Sequence, residues 1–584
     1  MKNAFAIGLT LLMLGASAGA QTAATKSDKR AGTISGRLTD TASQPIPHAV
    51  VYVTGASSQR RESRNTSTDE QGRFRITDLA RGVYNVFPVA PGYVTAEEET
   101  PRRTYRAGDT ADFTMKKGGV ITGTVMTHTN EPMTDCSVQA IRVRDKDGHA
   151  VTLIRPSGVA RADDRGVYRI YGLLSGTYVV FASGKHPFIN EPNVYENDMP
   201  TYYPSSTRDT AQTVTVQAGE EVSGIAIHYR GERGHAISGK IAGVPTDAAN
   251  AGIALELYNV ASRAMEAQSF AGGNFPGSSG DGYAFYGVAD GDYLVTATTN
   301  TSNTPFRGTG RAYVKVRGAD VTGTDITLAA YGAIVGTLAV EPLRNVEGQS
   351  KCEIKRLMPD EMLLEARAEK KAAEFNPPSP IARQEAPSDK GAFAFANLEA
   401  GQYRVLPMML GDDYFVRSIT LPALAKNQPP VDAARAPLTV KAGERLSDLA
   451  VTVAEGAAAL RGRVIPATEG ARLPESLRLH LVPAEKEAVD DLLRYYEAEL
   501  RGDNFELKNL APGRYFVIAR RATEDDASAD HPRPVAWDAE ARKRLRQRAE
   551  TANVTLELRP CQRLTDYALT YQPAAKKKAE SNPR

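Results

Sequence analysis

His128-Thr129-Asn130-Glu131 has the H-x-x-E spacing of a two-ligand zinc clasp, which makes it the first stretch to weigh for chemistry. Zinc hydrolysis also needs a third ligand and a catalytic carboxylate in a preformed pocket. The stretch falls between two predicted strands, at a place that is a polar turn earlier in the chain, so the expectation is a coincidental match. The remaining histidines are scattered, with no i, i+4 pair and none beside a cysteine. Beyond residue 20, no serine sits in a G-x-S-x-G elbow. The acidic runs Glu97-Glu98-Glu99 and Glu524-Asp525-Asp526 lack the spacing of a calcium loop and read as solvated loops. The expectation is a protein that is not an enzyme and carries no cofactor or metal, with a hydrolase as the third choice.

Aromatic loop residues are the other candidates. His186, Phe188, Tyr195, Tyr202 and Tyr203 crowd one long connection, and Tyr195, Tyr202 and Tyr203 are the rings expected to meet a ligand. Two readings stand. Exposed rings on a rigid scaffold can stack on sugars, or the loop folds back and buries its own rings. Phe306 and the Tyr495-Tyr496 pair are weaker candidates of the same kind.

These residues must be positioned by a repeated phrase. Asp69-Glu-Gln-Gly72-Arg-Phe74-Arg-Ile76, Leu79, Gly82, Tyr84 returns as Asp164-Arg-Gly166-Val-Tyr168-Arg-Ile170, Leu173, Gly176, Tyr178. Further copies run Asp281 to Tyr293, Asp389 to Tyr403 and Asp503 to Tyr515. Spacing of roughly one hundred residues predicts tandem domains of ordinary size. Alternation of Phe74 and Ile76 with Arg73 and Arg75 predicts a half-buried strand. The Gly before each Tyr fits a backbone that tolerates no side chain, and the Tyr offers a ring to bury and a hydroxyl to tie to nearby main chain. Each domain opens alike, as in Ile34-Ser-Gly36-Arg-Leu38 and Leu460-Arg-Gly462-Arg-Val464, where the Gly signals a close backbone approach or a bulge.

The expected fold class is all-β: five tandem antiparallel β-sandwiches at 33–117, 118–231, 232–331, 332–456 and 457–572. Helical insertions are expected over 359–375, 485–501 and 539–550. Residues 1–20 read as a signal peptide ending in Ala18-Gly-Ala20, 21–32 as a linker, and 573–584 as a disordered basic tail. No other apolar run approaches membrane-spanning length, so the mature chain is expected to be exported, to the periplasm, the cell surface or beyond. With 71 basic and 69 acidic residues the net charge is +2, which gives no pull towards nucleic acid.

The I-x-G-x-[VIL] opening, the D-x-G-x-[FY]-x-[IF] strand and the L-x-x-G-x-Y-x-V strand resemble the carboxypeptidase regulatory-like domain. The resemblance implies a transthyretin-like sandwich, grouped with carbohydrate-binding-like folds, and no catalytic residues. It implies a binding or structural module whose partner is a carbohydrate or, alternatively, a protein of a cell-envelope complex.

The chain has three cysteines, so export to an oxidising compartment leaves at least one unpaired within the chain. Cys136 shares a strand face with Val138 and Ala140 and reads as a small buried hydrophobe. Cys352 is placed in the second strand of the fourth domain, and Cys561 just beyond the final strand of the fifth. A Cys352–Cys561 bridge would staple neighbouring domains and contribute roughly 2–4 kcal/mol by restricting the unfolded chain. Non-reducing peptide mapping of exported protein is expected to give a linked Cys352–Cys561 peptide with Cys136 alkylated. Free Cys561 would contradict the bridge.

Overall fold

The computed structural model describes residues 32–572, except 58–61, 96–102, 135, 152–155, 185–193, 249–250, 273–279, 300–305, 344–351, 370–381, 424–429, 469, 475, 501 and 523–533. The described strands form ten sheets that pair face to face as five sandwiches, each around its own apolar core. The expected signal peptide and basic tail lie outside the described residues.

One arrangement recurs in every sandwich. The opening strand, Gly32–Asp40 in the first, pairs antiparallel with the strand of the repeated phrase, Arg73–Leu79, and parallel with the closing strand, Phe113–Lys117. The middle glycine stands opposite an aromatic each time: Gly36 and Phe74, Gly123 and Tyr168, Gly239 and Tyr283, Gly336 and Phe393, Gly462 and Phe505. A Cβ on any of these glycines would collide with a backbone carbonyl of the closing segment, that of Ala111, Ile225, Thr324, Leu449 or Tyr567. The bare glycine admits the third strand, and the opposing ring fills the space beside it.

The second device is a bulge. Pairing with the opening strand shifts register once per sandwich, at Asp78, Gly172, Gly287, Asn397 and Asn509, whose φ angles lie between 58° and 71°. Asp, Asn and Gly are the residues that enter this left-handed region at least cost. The chain then crosses to the other sheet, where the repeated tyrosine locks the corner. The hydroxyls of Tyr84, Tyr178, Tyr293, Tyr403 and Tyr515 donate to the carbonyls of Ala80, Leu174, Ala289, Glu399 and Ala511 at 2.6, 2.6, 2.9, 2.9 and 2.6 Å. All five rings are buried.

Three local expectations are corrected. Over 359–375 the chain makes only a 3-10 turn, Pro359–Glu361, and then the strand Leu363–Ala368, while 370–375 lie outside the described residues. Leu364 and Ala366 face the fourth core, whereas Leu363 faces the first sandwich, so burial on both faces erased the alternation that marks a strand. Over 485–501, a 3-10 turn at Leu492–Arg494 leads into the strand Tyr496–Glu499, whose pairing with Leu477–Pro483 overrides helix propensity. The fifth sandwich closes on Arg563–Thr570, not on Thr555–Leu558, which pairs with the other sheet.

The helix in the last insertion does form, at Ala539–Ala552, started by the Asp538 carboxylate on the Ala541 N–H at 2.7 Å and ended by Asn553 at φ 50°. It sets Leu545 and Ala549 against Val482 and Ile518 on the fifth sandwich. Among the described residues no helix is long and apolar enough to cross a membrane.

Gly462→Ala tests the shared design. A methyl group against the Tyr567 carbonyl forces the closing strand away, and the expected cost is about 3 kcal/mol or more, in the range of severe strain. Limited proteolysis should cut first within the fifth sandwich of the variant. Unchanged protection there would contradict the packing argument.

Candidate functional site

The three loop tyrosines meet different surroundings. Tyr202 lies in a two-residue strand, Thr201–Tyr202, paired with Phe181 and Ala182, and is 5% exposed. Its ring is 5.0 Å from that of Phe181, in a small cluster with Ile141 and with Ala264 of the third sandwich. Burial pushes its phenol well above the ordinary tyrosine pKa. Tyr202 is therefore packing between sandwiches, and its expected role as an open platform is corrected.

Tyr195 and Tyr203 are half-buried against the second core, and Tyr195 meets Tyr229 edge-on at 5.7 Å. His186 and Phe188 lie outside the described residues. Phe306 packs against the third core, and Tyr496 against Tyr515 at 6.1 Å. Among the described residues the most exposed rings are Tyr313 at 66% and Tyr171 at 58%, which stand on different sandwiches. The single tryptophan, Trp537, is covered by the Arg404 guanidinium at 4.7 Å.

His128 and Glu131 sit exposed in a turn closed by the Thr127 N–H on the Glu131 carbonyl at 2.8 Å. Thr129 donates to the Glu131 carboxylate at 3.4 Å. A trio of half-buried Asp145 with exposed Asp147 and His149 crowds a hairpin tip, where one Asp145 oxygen accepts the N–H groups of Asp147 and His149 at 2.9 and 2.8 Å. That is turn capping. The acidic runs at 97–99 and 524–526 lie outside the described residues.

Cys352 and Cys561 are joined, with Cα atoms 6.0 Å apart across 209 residues of sequence. Cys352 is in an extended segment ahead of the 3-10 turn and not in the second strand, which begins at Leu363. Cys561 follows Thr555–Leu558 and donates its N–H to the Gly456 carbonyl at 3.0 Å, at the seam of the fourth and fifth sandwiches. Cys136 is buried inside the second core and takes no part in that disulfide.

A cleft of about 520 Å³ crosses the outer face of the first sandwich, lined by Ser35, Arg37, Asp69, Arg73, Arg75 and Asp112 among others. Alternation had already turned Arg73 and Arg75 outwards. What sequence did not disclose is the register that sets Arg37 directly opposite Arg73 and Ser35 opposite Arg75.

These features define a tandem array of β-sandwiches. Residues 33–116 match the carboxypeptidase regulatory-like domain, so the first sandwich is of that class. No curated protein matches the chain. Among solved structures, a minor pilin of Streptococcus agalactiae is 12% identical, with 34% of this chain and 96% of that one covered at a TM-score of 0.19. The TIE protein of Bacillus anthracis is 11% identical, covering 70% of this chain and 69% of that one at 0.14. The major pilin subunit of Bacillus cereus is 10% identical, covering 51% and 99% at 0.14. Likeness this distant says nothing of what this chain binds.

Tyr202→Ala is expected to cost about 3–5 kcal/mol, as for other buried aromatic truncations. A melting curve that loses or lowers a transition confirms it. An unshifted curve would return Tyr202 to the surface.

Proposed function

We propose that the protein is a non-enzymatic scaffold, exported to the cell envelope, whose sandwiches are locked into one folded-back body for docking a protein partner. The observation that carries this is a contact between the first sandwich and the fourth. Arg81 reaches across 279 residues of sequence to Asp360, with Nε at 3.0 and 3.2 Å from the two carboxylate oxygens. Asp360 is buried. Arg106 Nε donates to the Glu361 carbonyl at 2.8 Å, and the Ser57 hydroxyl donates to Glu385 at 2.7 Å. Val83, Leu363 and Ala386 are buried together between them.

Successive sandwiches are tied as well. Arg208 pairs with Glu266 between the second and third, and Arg311 with Glu399 at 2.6 Å between the third and fourth. Asn509 Nδ2 donates to the carbonyls of Gly411 and Tyr414, both at 2.7 Å, between the fourth and fifth, beside the Cys352–Cys561 pair. A body fixed at this many points can hold separate surfaces at set distances, which suits an envelope docking module. The packing of Tyr202, one of the three rings expected to meet a ligand, supports the same reading.

Removing one partner of a buried pair typically costs about 3–5 kcal/mol. Asp360→Arg is therefore expected to open the body, seen as a larger radius of gyration in solution scattering, and Arg81→Asp added to it should restore compactness. Immobilised wild-type protein should retain an envelope protein that the opened variant releases. A wild-type chain already extended, or a variant no larger, would overturn the reading.

A further inference from the structure

We propose that the cleft on the outer face of the first sandwich binds an acidic saccharide, a hydroxyl-rich unit carrying a carboxylate. The proposal goes beyond the scaffold reading and does not depend on it, because every lining residue belongs to the first sandwich.

The starting point is a concentration of arginines. Arg37 and Arg73 face one another across an antiparallel pair, with Arg75 two residues along, and all three are exposed. Like charges directly opposite on a sheet are destabilising. Among the described residues, neither the Arg73 nor the Arg75 guanidinium has an acidic partner within bonding distance. The other sandwiches avoid this arrangement. At the positions of Arg73 and Arg75 they carry Val167 and Arg169, Gly282 and Ala284, Ala392 and Ala394, and Asn504 and Glu506. Arg169 is matched by Glu221 at 3.1 Å, and Glu506 stands opposite Arg461. The bare cluster is a property of the first sandwich alone.

The cleft is also partly preset. Arg37 Nε donates to the Gln71 carbonyl at 3.0 Å, which fixes that guanidinium at the wall. One Asp112 oxygen accepts the Arg37 N–H at 2.8 Å, so its carboxylate is held at the other side. One Asp69 oxygen accepts the N–H groups of Gln71 and Arg73 at 2.9 and 2.7 Å. Ser35, Ser67 and Thr110 complete the lining, and the Phe74 ring is buried beneath, so recognition is polar with no ring to stack on.

The mixture of charges selects the ligand. A bare polyanion meets three guanidinium groups but also two carboxylates that repel it. A uronate-type sugar uses both signs: its carboxylate takes the planar fork of an arginine, and its hydroxyls donate to Asp112 and Asp69. The volume, about 520 Å³, lies within the range of small-molecule sites.

Calorimetry on the full mature chain tests this with tri-galacturonate, a neutral trisaccharide of equal length, inorganic phosphate and a glutamate-rich peptide. The expected result is saturable binding of tri-galacturonate alone. The double variant Arg73→Ala, Arg75→Ala should weaken it at least about tenfold. Asp112→Asn should weaken it too, whereas simple charge attraction would make that variant bind more tightly. Because all three side chains are exposed, melting curves should not fall below wild type, the arginine double variant gaining slightly as the Arg37–Arg73 repulsion is relieved, and Asp360→Arg should bind as wild type does. Absent binding, equal binding of phosphate, peptide or neutral sugar, or tighter binding by Asp112→Asn would each overturn the proposal.

Discussion

In each sandwich, one strand has no room for a side chain at its centre. The closing segment runs parallel to the opening strand so near to Gly36, Gly123, Gly239, Gly336 and Gly462 that its carbonyl occupies the place of a Cβ. The aromatic across from each glycine fills the void that a missing side chain would leave, and in two cases its hydroxyl also binds the approaching carbonyl: Tyr168 on Ile225 at 2.6 Å, and Tyr283 on Thr324. First, middle and last parts of each domain are thereby held in one sheet. The bulge and the tyrosine corner then carry the chain to the second sheet.

Much of this was legible because it repeats and is local. Gly36, Phe74, Leu79 and Tyr84 are close enough in sequence for their periodicity to report the sheet they build, and five imperfect copies separate the pattern from chance. In the second copy the turn is capped by Asp163, one residue ahead of the Asp164 on which the phrase aligns, with its carboxylate accepting the Arg165 and Val167 N–H groups at 3.0 and 2.8 Å. The bulge residues escaped notice because Asp, Gly and Asn share only a tolerance of positive φ.

What sequence could not show depends on distant partners. Leu363 is buried by a sandwich 279 residues removed at its Arg81–Asp360 contact, so the segment around it reads as a helix when taken alone. Tyr202 looks like a loop ring until Ala264 of the next sandwich is set against it. The Arg37–Arg73 pairing appears only once register is known. Ties between sandwiches use side chains such as Arg208 and Arg311 that carry no periodic signal. Together they turn a string of similar beads into a body with defined faces.

The central claim is that the first and fourth sandwiches are held together in the native chain. Nitroxide labels on Asn65→Cys and Lys390→Cys, exposed positions on those two sandwiches, measure it directly by pulsed electron resonance. The account predicts one narrow distance distribution that broadens when Asp360→Arg is added. A distribution already broad in the otherwise unaltered chain would contradict it.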